Sequence, residues 1–163
     1  MQQLFDNLTG KIAKPATYVS FEKDSNYLIF NFEAHDSSLN SYSNNDNDAI
    51  FKGDVVELFL DIGEDSYYEF EVAPNGTTFV ASIKDLKPTF IENNFFKSEV
   101  RIDGNNYFVK MIIDLSKFNF IKFIKFNAFR IETKKVRPEY ILQSLNPTLC
   151  GSFHKRDKFI ELK

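Results

Sequence analysis

One glutamate, Glu57, stands in a part of the sequence that is otherwise largely apolar. In a β-strand over residues 54–61, alternation places three aliphatic side chains on one face and Val55, Glu57 and Phe59 on the other. Both faces are largely apolar, which is typical of a strand in the middle of a sheet. An ionised carboxylate is costly there unless a cation, hydrogen-bond donors or a ligand offset its desolvation. Glu57 is therefore the first candidate for a functional residue.

Two interpretations of Glu57 follow from its surroundings. In the structural one, Glu57 forms an ion pair with Arg130, which lies on the polar side of a predicted strand over residues 126–132. In the functional one, Glu57 binds a ligand. The two interpretations are not exclusive, because an arginine beside the carboxylate can also contact the ligand.

The next predicted strand, residues 67–72, adds polar side chains to the same sheet. Its alternation directs Tyr67, Glu69 and Glu71 outward, away from the core. Together with Glu57, they would give a stiff sheet face that mixes carboxylates with an aromatic ring. Such a face suits a sugar, whose hydroxyls form hydrogen bonds and whose C–H face packs on an aromatic ring. The alternative is an ordinary solvated sheet face, and alternation alone does not choose between them.

The elements that position these residues are short strands joined by turns. Residues 27–35 alternate regularly, and residues 54–72 read as a hairpin. Asp103-Gly104 is a dipeptide that tight hairpin turns favour, whereas residues 84–94 read as a polar link. No segment shows a sustained period of 3.6. About nine or ten strands predict an all-β fold, an antiparallel β-sandwich of jelly-roll or immunoglobulin-like type, as a single domain over residues 1–163.

The composition excludes several function classes. Twenty Lys and Arg residues against 23 Asp and Glu give a net charge of -3, without the basic excess that nucleic-acid binding requires. One cysteine and two histidines do not supply a typical zinc site. No apolar run approaches the roughly 20 residues that a membrane helix needs. The start lacks signal-peptide features, which predicts a cytoplasmic location; a sequence beginning after a cleaved signal would instead be secreted.

The Asn-rich loop before residue 54 offers oxygen ligands for a cation. Asn44, Asp46 and Asp48 alternate as in a calcium loop. Ala49 stands where an EF-hand needs glycine, and Val55 where it needs a bidentate glutamate, so the loop is not an EF-hand. A structural calcium ion on Asp46 and Asp48 is one interpretation, and a solvated loop is the other.

Two segments, residues 51–61 and 67–76, resemble carbohydrate-binding module family 9. They match an aromatic residue followed by Asp-x-Val-Glu-x-Phe-Leu-Asp, and then Tyr-Tyr-Glu-Phe-x-x-x-Pro-x-Gly. Residues 126–132 match the family's Asn-x-x-Arg-Ile-Glu strand. The family's closing elements match residues 146–148, 153–154 and 159. The matches occur in order over roughly residues 18 to 162.

The resemblance implies a β-sandwich that binds sugars without catalysing a reaction and often carries structural calcium. The family typically holds the end of a glycan between two tryptophans, but this chain has none. The two tryptophan positions fall on Phe51, which can still stack on a pyranose, and on Leu145, which offers no π face. Glu57 matches a carboxylate that the family uses in its site.

These observations predict a non-enzymatic saccharide-binding protein that requires no cofactor. Glu57 and Arg130 would form hydrogen bonds with sugar hydroxyls, Phe51 would stack, and Gln143 and Asn146 would add polar contacts from the last loop. The alternative is a structural or protein-interaction sandwich that has lost the sugar pocket. A third hypothesis is a glycoside hydrolase, whose chemistry requires an acid and a second carboxylate.

Overall fold

The chain folds into two antiparallel β-sheets that pack face to face. The computed structural model describes residues 1–134 and 140–162, and this part of the chain forms thirteen strands and three single 3-10 turns. The strands are β1 Gln2–Gln3, β2 Phe5–Asp6, β3 Thr17–Asp24, β4 Tyr27–His35, β5 Val55–Asp61, β6 Tyr67–Val72, β7 Thr78–Lys84, β8 Lys87–Phe90, β9 Phe96–Asp103, β10 Asn106–Asp114, β11 Lys125–Thr133, β12 Tyr140–Ser144 and β13 Ile160–Glu161. The turns are Ile50–Lys52, Leu115–Lys117 and Arg156–Lys158. The predicted all-β sandwich is confirmed.

The two sheets differ in size. The first has five strands in the order β1-β3-β4-β10-β9, and the second has the order β2-β12-β11-β5-β6-β7-β8, with the short β13 also paired to β11. Strand β5 lies between β11 and β6, which confirms the central position predicted from its two apolar faces. Among the described residues, no helix is long and apolar enough to cross a membrane.

Two strands of the fold are not apparent from the sequence pattern. Strand β3 buries Thr17 and Val19 but carries mostly exposed or partly exposed residues after them, which obscures its alternation. Strand β8 lies at the edge of the second sheet and contains Pro88, which an edge strand tolerates. Asp85 and Leu86 both adopt positive φ between β7 and β8, so a tight hairpin forms without the glycine that usually signals one.

Apolar side chains from both sheets fill the space between them. Strand β5 contributes Val56, Leu58 and Leu60, and β4 contributes phenylalanines and a leucine at alternate positions. Burying each such side chain contributes roughly 1.5–3 kcal/mol. A second apolar cluster, which includes Phe59 and Phe129, lies on the opposite face of the second sheet. Strand β5 is therefore buried on both faces.

A buried ion pair lies between the sheets. Nη2 of Arg130 donates to Oδ2 of Asp36 at 2.6 Å, and both side chains are almost completely buried. The guanidinium carbon lies 5.6 Å from the ring centroid of Tyr107. Nearby, the carboxylate of Asp54 accepts hydrogen bonds from the backbone N–H of Thr133 and of Asn40. These contacts fasten the long loop between β4 and β5 to the sandwich.

We expect Asp36→Asn to lower the free energy of unfolding by about 3 kcal/mol, because it leaves the buried Arg130 charge without its carboxylate partner. The amide oxygen can still accept from the Ser38 N–H, so the local turn is retained. The matched control is Asp65→Asn, which removes an exposed pair with Lys84 and should cost less than about 1 kcal/mol. Urea denaturation of both variants measures the difference, and equal losses would contradict the assignment.

Candidate functional site

A cavity of about 290 Å³ opens on the face of the second sheet that points away from the first sheet. Its charged residues are Glu57 on β5 and Glu69 and Glu71 on β6, referred to below as the glutamate cluster. Apolar side chains surround the cluster, among them Phe51, Phe59, Phe79, Ile131, Leu142 and Phe153. The site therefore combines buried carboxylates with aromatic walls.

Strand register brings the three glutamates together. Glu57 lies directly opposite Glu71, and Phe59 lies directly opposite Glu69. Side chains at opposite positions on neighbouring strands share a face and lie close together. Carboxylate oxygens of the three residues accordingly lie within 4.8 Å of one another. In the described part of the chain, no other group of three acidic, histidine or cysteine side chains converges in this way.

Burial disfavours negative charge on the glutamate cluster. Glu57 and Glu71 are each only 2% exposed. Burial raises the pKa of Glu57 well above its usual value, and the neighbouring Glu69 raises it further. Burial likewise raises the pKa of Glu71, with Glu57 and Glu69 adding to the effect, and it raises the pKa of Glu69 to about 7. Without a ligand, the cluster therefore retains protons at neutral pH.

The segment after β12 covers part of this sheet face and contributes to the cavity. The Phe153 ring stacks on Phe129 with centroids 4.3 Å apart, and the His154 ring stacks on Phe59 at 5.0 Å. A hydrogen bond of 2.5 Å joins His154 Nδ1 to the hydroxyl of Tyr67. Burial lowers the pKa of His154, so its imidazole is neutral at pH 7.

A surface ion pair anchors the same segment. Arg156 donates through Nε to Oδ2 of Asp61 at 2.6 Å and through Nη2 to Oδ1 at 2.8 Å, which is a bidentate arrangement. The same guanidinium also donates to the carbonyls of Glu64 and Asp65. Burial opposes ionisation of Asp61, but the hydrogen bonds from Arg156 and from the Gly63 N–H hold the pKa of Asp61 below its usual value. The segment is thus tied to the β5–β6 hairpin that carries the glutamates.

Two of the predicted site residues, Phe51 and Glu57, line the same cavity. Phe51 is 42% exposed and lies in the 3-10 turn that precedes β5. This turn ends at Gly53, where a Cβ atom would lie only 2.7 Å from the carbonyl oxygen of Asn40 and from the backbone nitrogen of Tyr42. Glycine therefore allows the close approach of backbone that positions Phe51 at the cavity.

The predicted placement of Arg130 beside Glu57 is wrong, and Gln143, predicted to contact the sugar from the last loop, lies on strand β12. Phe129, not Arg130, lies opposite Glu57, so Arg130 points into the space between the sheets and pairs with Asp36. Gln143 lies opposite Arg130 and shares its inward face, where its Nε2 donates to the carbonyl of Pro15 at 3.0 Å. The prediction failed because it assumed the wrong register between strands, and a shift of one residue exchanges the two faces of a sheet.

Two residues near the end of the chain serve the structure instead of lining the cavity. The side chain of Asn146 donates to the carbonyl of Lys158 at 2.8 Å, and its backbone N–H donates to Asn127. Leu145, at the second tryptophan position of the resemblance, is 7% exposed and belongs to the core between the sheets. Neither side chain adds a second aromatic wall.

The two aspartates of the predicted calcium loop hold the loop through hydrogen bonds. Oδ1 of Asp46 accepts from the backbone N–H of Thr78 at 2.8 Å. Oδ2 of Asp48 accepts from the hydroxyl of Ser43 at 2.5 Å. These bonds give both carboxylates a structural role, and calcium binding by Asp46 and Asp48 stays a prediction.

Several residues of the cavity are not evident from the sequence pattern. Phe79 and Phe153 carry no signal beyond their aromatic character, and only the strand register and the covering segment bring them to the cavity. Glu69 and Glu71 are both predicted to face outward, and both belong to the site. His154 lies in a closing motif of the resemblance, which could have identified it as a neighbour of the cavity.

We expect the free energy of unfolding to fall between pH 5 and pH 7. The pKa of Glu69 rises from its usual value near 4.5 to about 7 on folding, so in this range the folded state binds more protons than the unfolded state. Over this range Glu69 alone would lower the free energy of unfolding by roughly 2 kcal/mol. His154 acts in the opposite sense, because its pKa is lowered on folding.

Denaturation curves at each pH test this dependence. Glu69→Gln should flatten the profile, whereas Glu99→Gln, which removes an exposed carboxyl group from the first sheet, should leave the slope unchanged. Equal slopes for the wild type and Glu69→Gln would contradict the proposed effect of burial.

No protein-family model and no curated protein sequence matches the chain. Among solved structures, a candidate carbohydrate-binding protein from Bacteroides uniformis matches with a TM-score of 0.82 and 17% identity, over 99% of this chain and 84% of that one. A family 9 carbohydrate-binding module from Caldicellulosiruptor kristjanssonii in complex with cellotriose matches with a TM-score of 0.63 and 17% identity, over 88% and 71% of the two chains. A family 9 module from the same organism in complex with glucose matches with a TM-score of 0.63 and 16% identity, over 88% of this chain and 72% of that one. The chain therefore has the fold of carbohydrate-binding module family 9, as its motifs predict.

Proposed function

We propose that this protein binds a saccharide, without catalysing a reaction, in the cavity beside the glutamate cluster. The observation that carries the proposal is the meeting of carboxylates and aromatic side chains in one open cavity, with Phe51 and Glu57 both lining it. Carboxyl groups form hydrogen bonds with hydroxyls, and an aromatic ring packs against the C–H face of a pyranose. Glu57 forms the hydrogen bonds, and Phe51 packs against the ring.

The size of the cavity favours a short ligand. Its volume of about 290 Å³ lies at the lower end of the range for small-molecule pockets. A single sugar ring at the end of a glycan suits this volume better than a long chain does. The two family 9 structures with the same fold were solved with cellotriose and with glucose, which supports a saccharide as the ligand class.

The position of the carboxylates supports binding without catalysis. Glycoside hydrolases place two carboxyl groups so that they flank the scissile bond. Here Glu57, Glu69 and Glu71 project from two adjacent strands on one side of the cavity. A bound sugar would therefore meet all three from the same side. Of the other lining residues only His154 is titratable, and it is already bonded to Tyr67.

We expect glucose and cellotriose to bind with an affinity that decreases about fivefold in Phe51→Ala, because the variant loses the stacking ring. Glu57→Gln should also weaken binding, since an amide retains the shape but replaces one oxygen with an NH2 group that only donates. Isothermal titration calorimetry measures both effects. The matched control is Phe120→Ala, which removes another exposed ring, 61% accessible, that does not line the cavity.

Two results would contradict the proposal. If the folded protein binds none of a panel of mono- and oligosaccharides, the sandwich is an interaction domain instead. If it releases reducing sugar from an oligosaccharide, and Glu57→Gln abolishes that release, the protein is a hydrolase.

A further inference from the structure

The glutamate cluster has no cationic partner among the residues that the structure describes. No lysine or arginine lines the cavity, and the imidazole of His154 is neutral. Two other buried acids of the same chain have an arginine partner. Asp36 contacts Arg130 and Asp61 contacts Arg156, each at 2.6 Å. The glutamate cluster differs from these two pairs in leaving its carboxyl groups without a compensating charge.

One oxygen of the cluster also has no hydrogen-bond partner. Oε2 of Glu71 is buried and accepts no hydrogen bond, although Glu71 lines the cavity. Native proteins pair nearly all buried polar atoms, because an unpaired acceptor costs its full desolvation energy. Buried oxygens of Thr17, Glu132 and Gln143 are also unpaired, but among these residues only Glu71 lines this cavity, where a ligand can supply the missing donor.

The geometry of the cluster fits a single donor group with three hydrogens. Since the three oxygens lie within 4.8 Å of one another, there is a point no more than about 2.8 Å from each of them, and about 2.8 Å is the usual N–O distance of a charged hydrogen bond. One nitrogen at the centre can thus reach an oxygen of each glutamate. A protonated primary amine carries three N–H donors, one for each carboxyl group.

The walls of the cavity favour an organic cation over a bare metal ion. Calcium takes six to eight oxygen ligands, whereas the side chains around the cluster are mainly aromatic and aliphatic, including Phe51, Phe79 and Phe153. Aromatic faces attract organic cations and pack against C–H groups. The cavity volume of about 290 Å³ also leaves room for a ring beside the charged group.

We infer that the preferred ligand is an amino sugar with a free amino group, whose ammonium nitrogen binds between Glu57, Glu69 and Glu71 while its ring packs on Phe51. This inference rests on the proposed sugar-binding function and specifies its ligand class. Burial raises the pKa of all three glutamates, so the bound ammonium would replace protons that the cluster holds in the free protein.

Isothermal titration calorimetry with glucosamine, N-acetylglucosamine and glucose at pH 6.5 and constant ionic strength tests the inference. We expect glucosamine to bind at least tenfold more tightly than the other two, because acetylation removes the charge and glucose lacks the amine. Glu71→Gln should reduce this preference severalfold, because it weakens glucosamine binding more than glucose binding. Glu99→Gln, on the first sheet, should leave the preference intact. Circular dichroism confirms that each variant is folded.

The possible outcomes separate this inference from the proposed function. If glucose binds as tightly as glucosamine, the inference fails and the saccharide function stands. If none of the three sugars binds, the inference fails, and the wider saccharide panel then decides the proposed function. If calcium chloride alone raises the melting temperature and glucosamine does not, the cluster is a metal site and the inference is overturned. If the preference persists in Glu71→Gln and Glu69→Gln, the amine binds elsewhere and the assignment is wrong.

Discussion

The two-residue alternation of strand β5 is the constraint on which the rest of the structure depends. Its aliphatic side chains at 56, 58 and 60 hold the two sheets together, and the intervening positions carry Glu57 and Phe59 to the opposite face. Because β5 is central and buried on both faces, neither set can move without the other. The same register places Glu71 opposite Glu57. The core and the cavity thus lie on opposite faces of the same strand.

Most of the fold could be predicted from local sequence patterns. The β5–β6 hairpin, with its short turn, determines which glutamates face outward, including Glu57, whereas Phe51 follows from the resemblance to family 9. Arg130 could not be placed in this way, because β11 reaches β5 through a long connection and its register depends on tertiary packing. Phe153 and His154 reach the cavity through stacking on Phe129 and Phe59, on a segment that Arg156 ties to Asp61. Long-range contacts therefore account for the part of the site that sequence patterns miss.

The buried ionisable groups of this protein fall into two kinds. The Arg130–Asp36 pair contains its own neutralising charge and fastens a loop to the sandwich. The glutamate cluster contains like groups whose pKa is raised by burial, and it lies at an opening to solvent. Perturbed groups of the second kind concentrate at functional sites, because a folded chain that needs only stability can replace them with apolar residues.

The inward position of Leu145 has a consequence for the evolution and redesign of the molecule. Since its side chain occupies the layer shared by the two sheets, a larger aromatic substituent there would overfill the interior and still contribute nothing to the opening. Substitution of Leu145 alone therefore cannot restore binding of a ligand between two aromatic rings. Such binding would require additional backbone, for example a longer excursion between residues 149 and 155 that carries a new ring over the entrance.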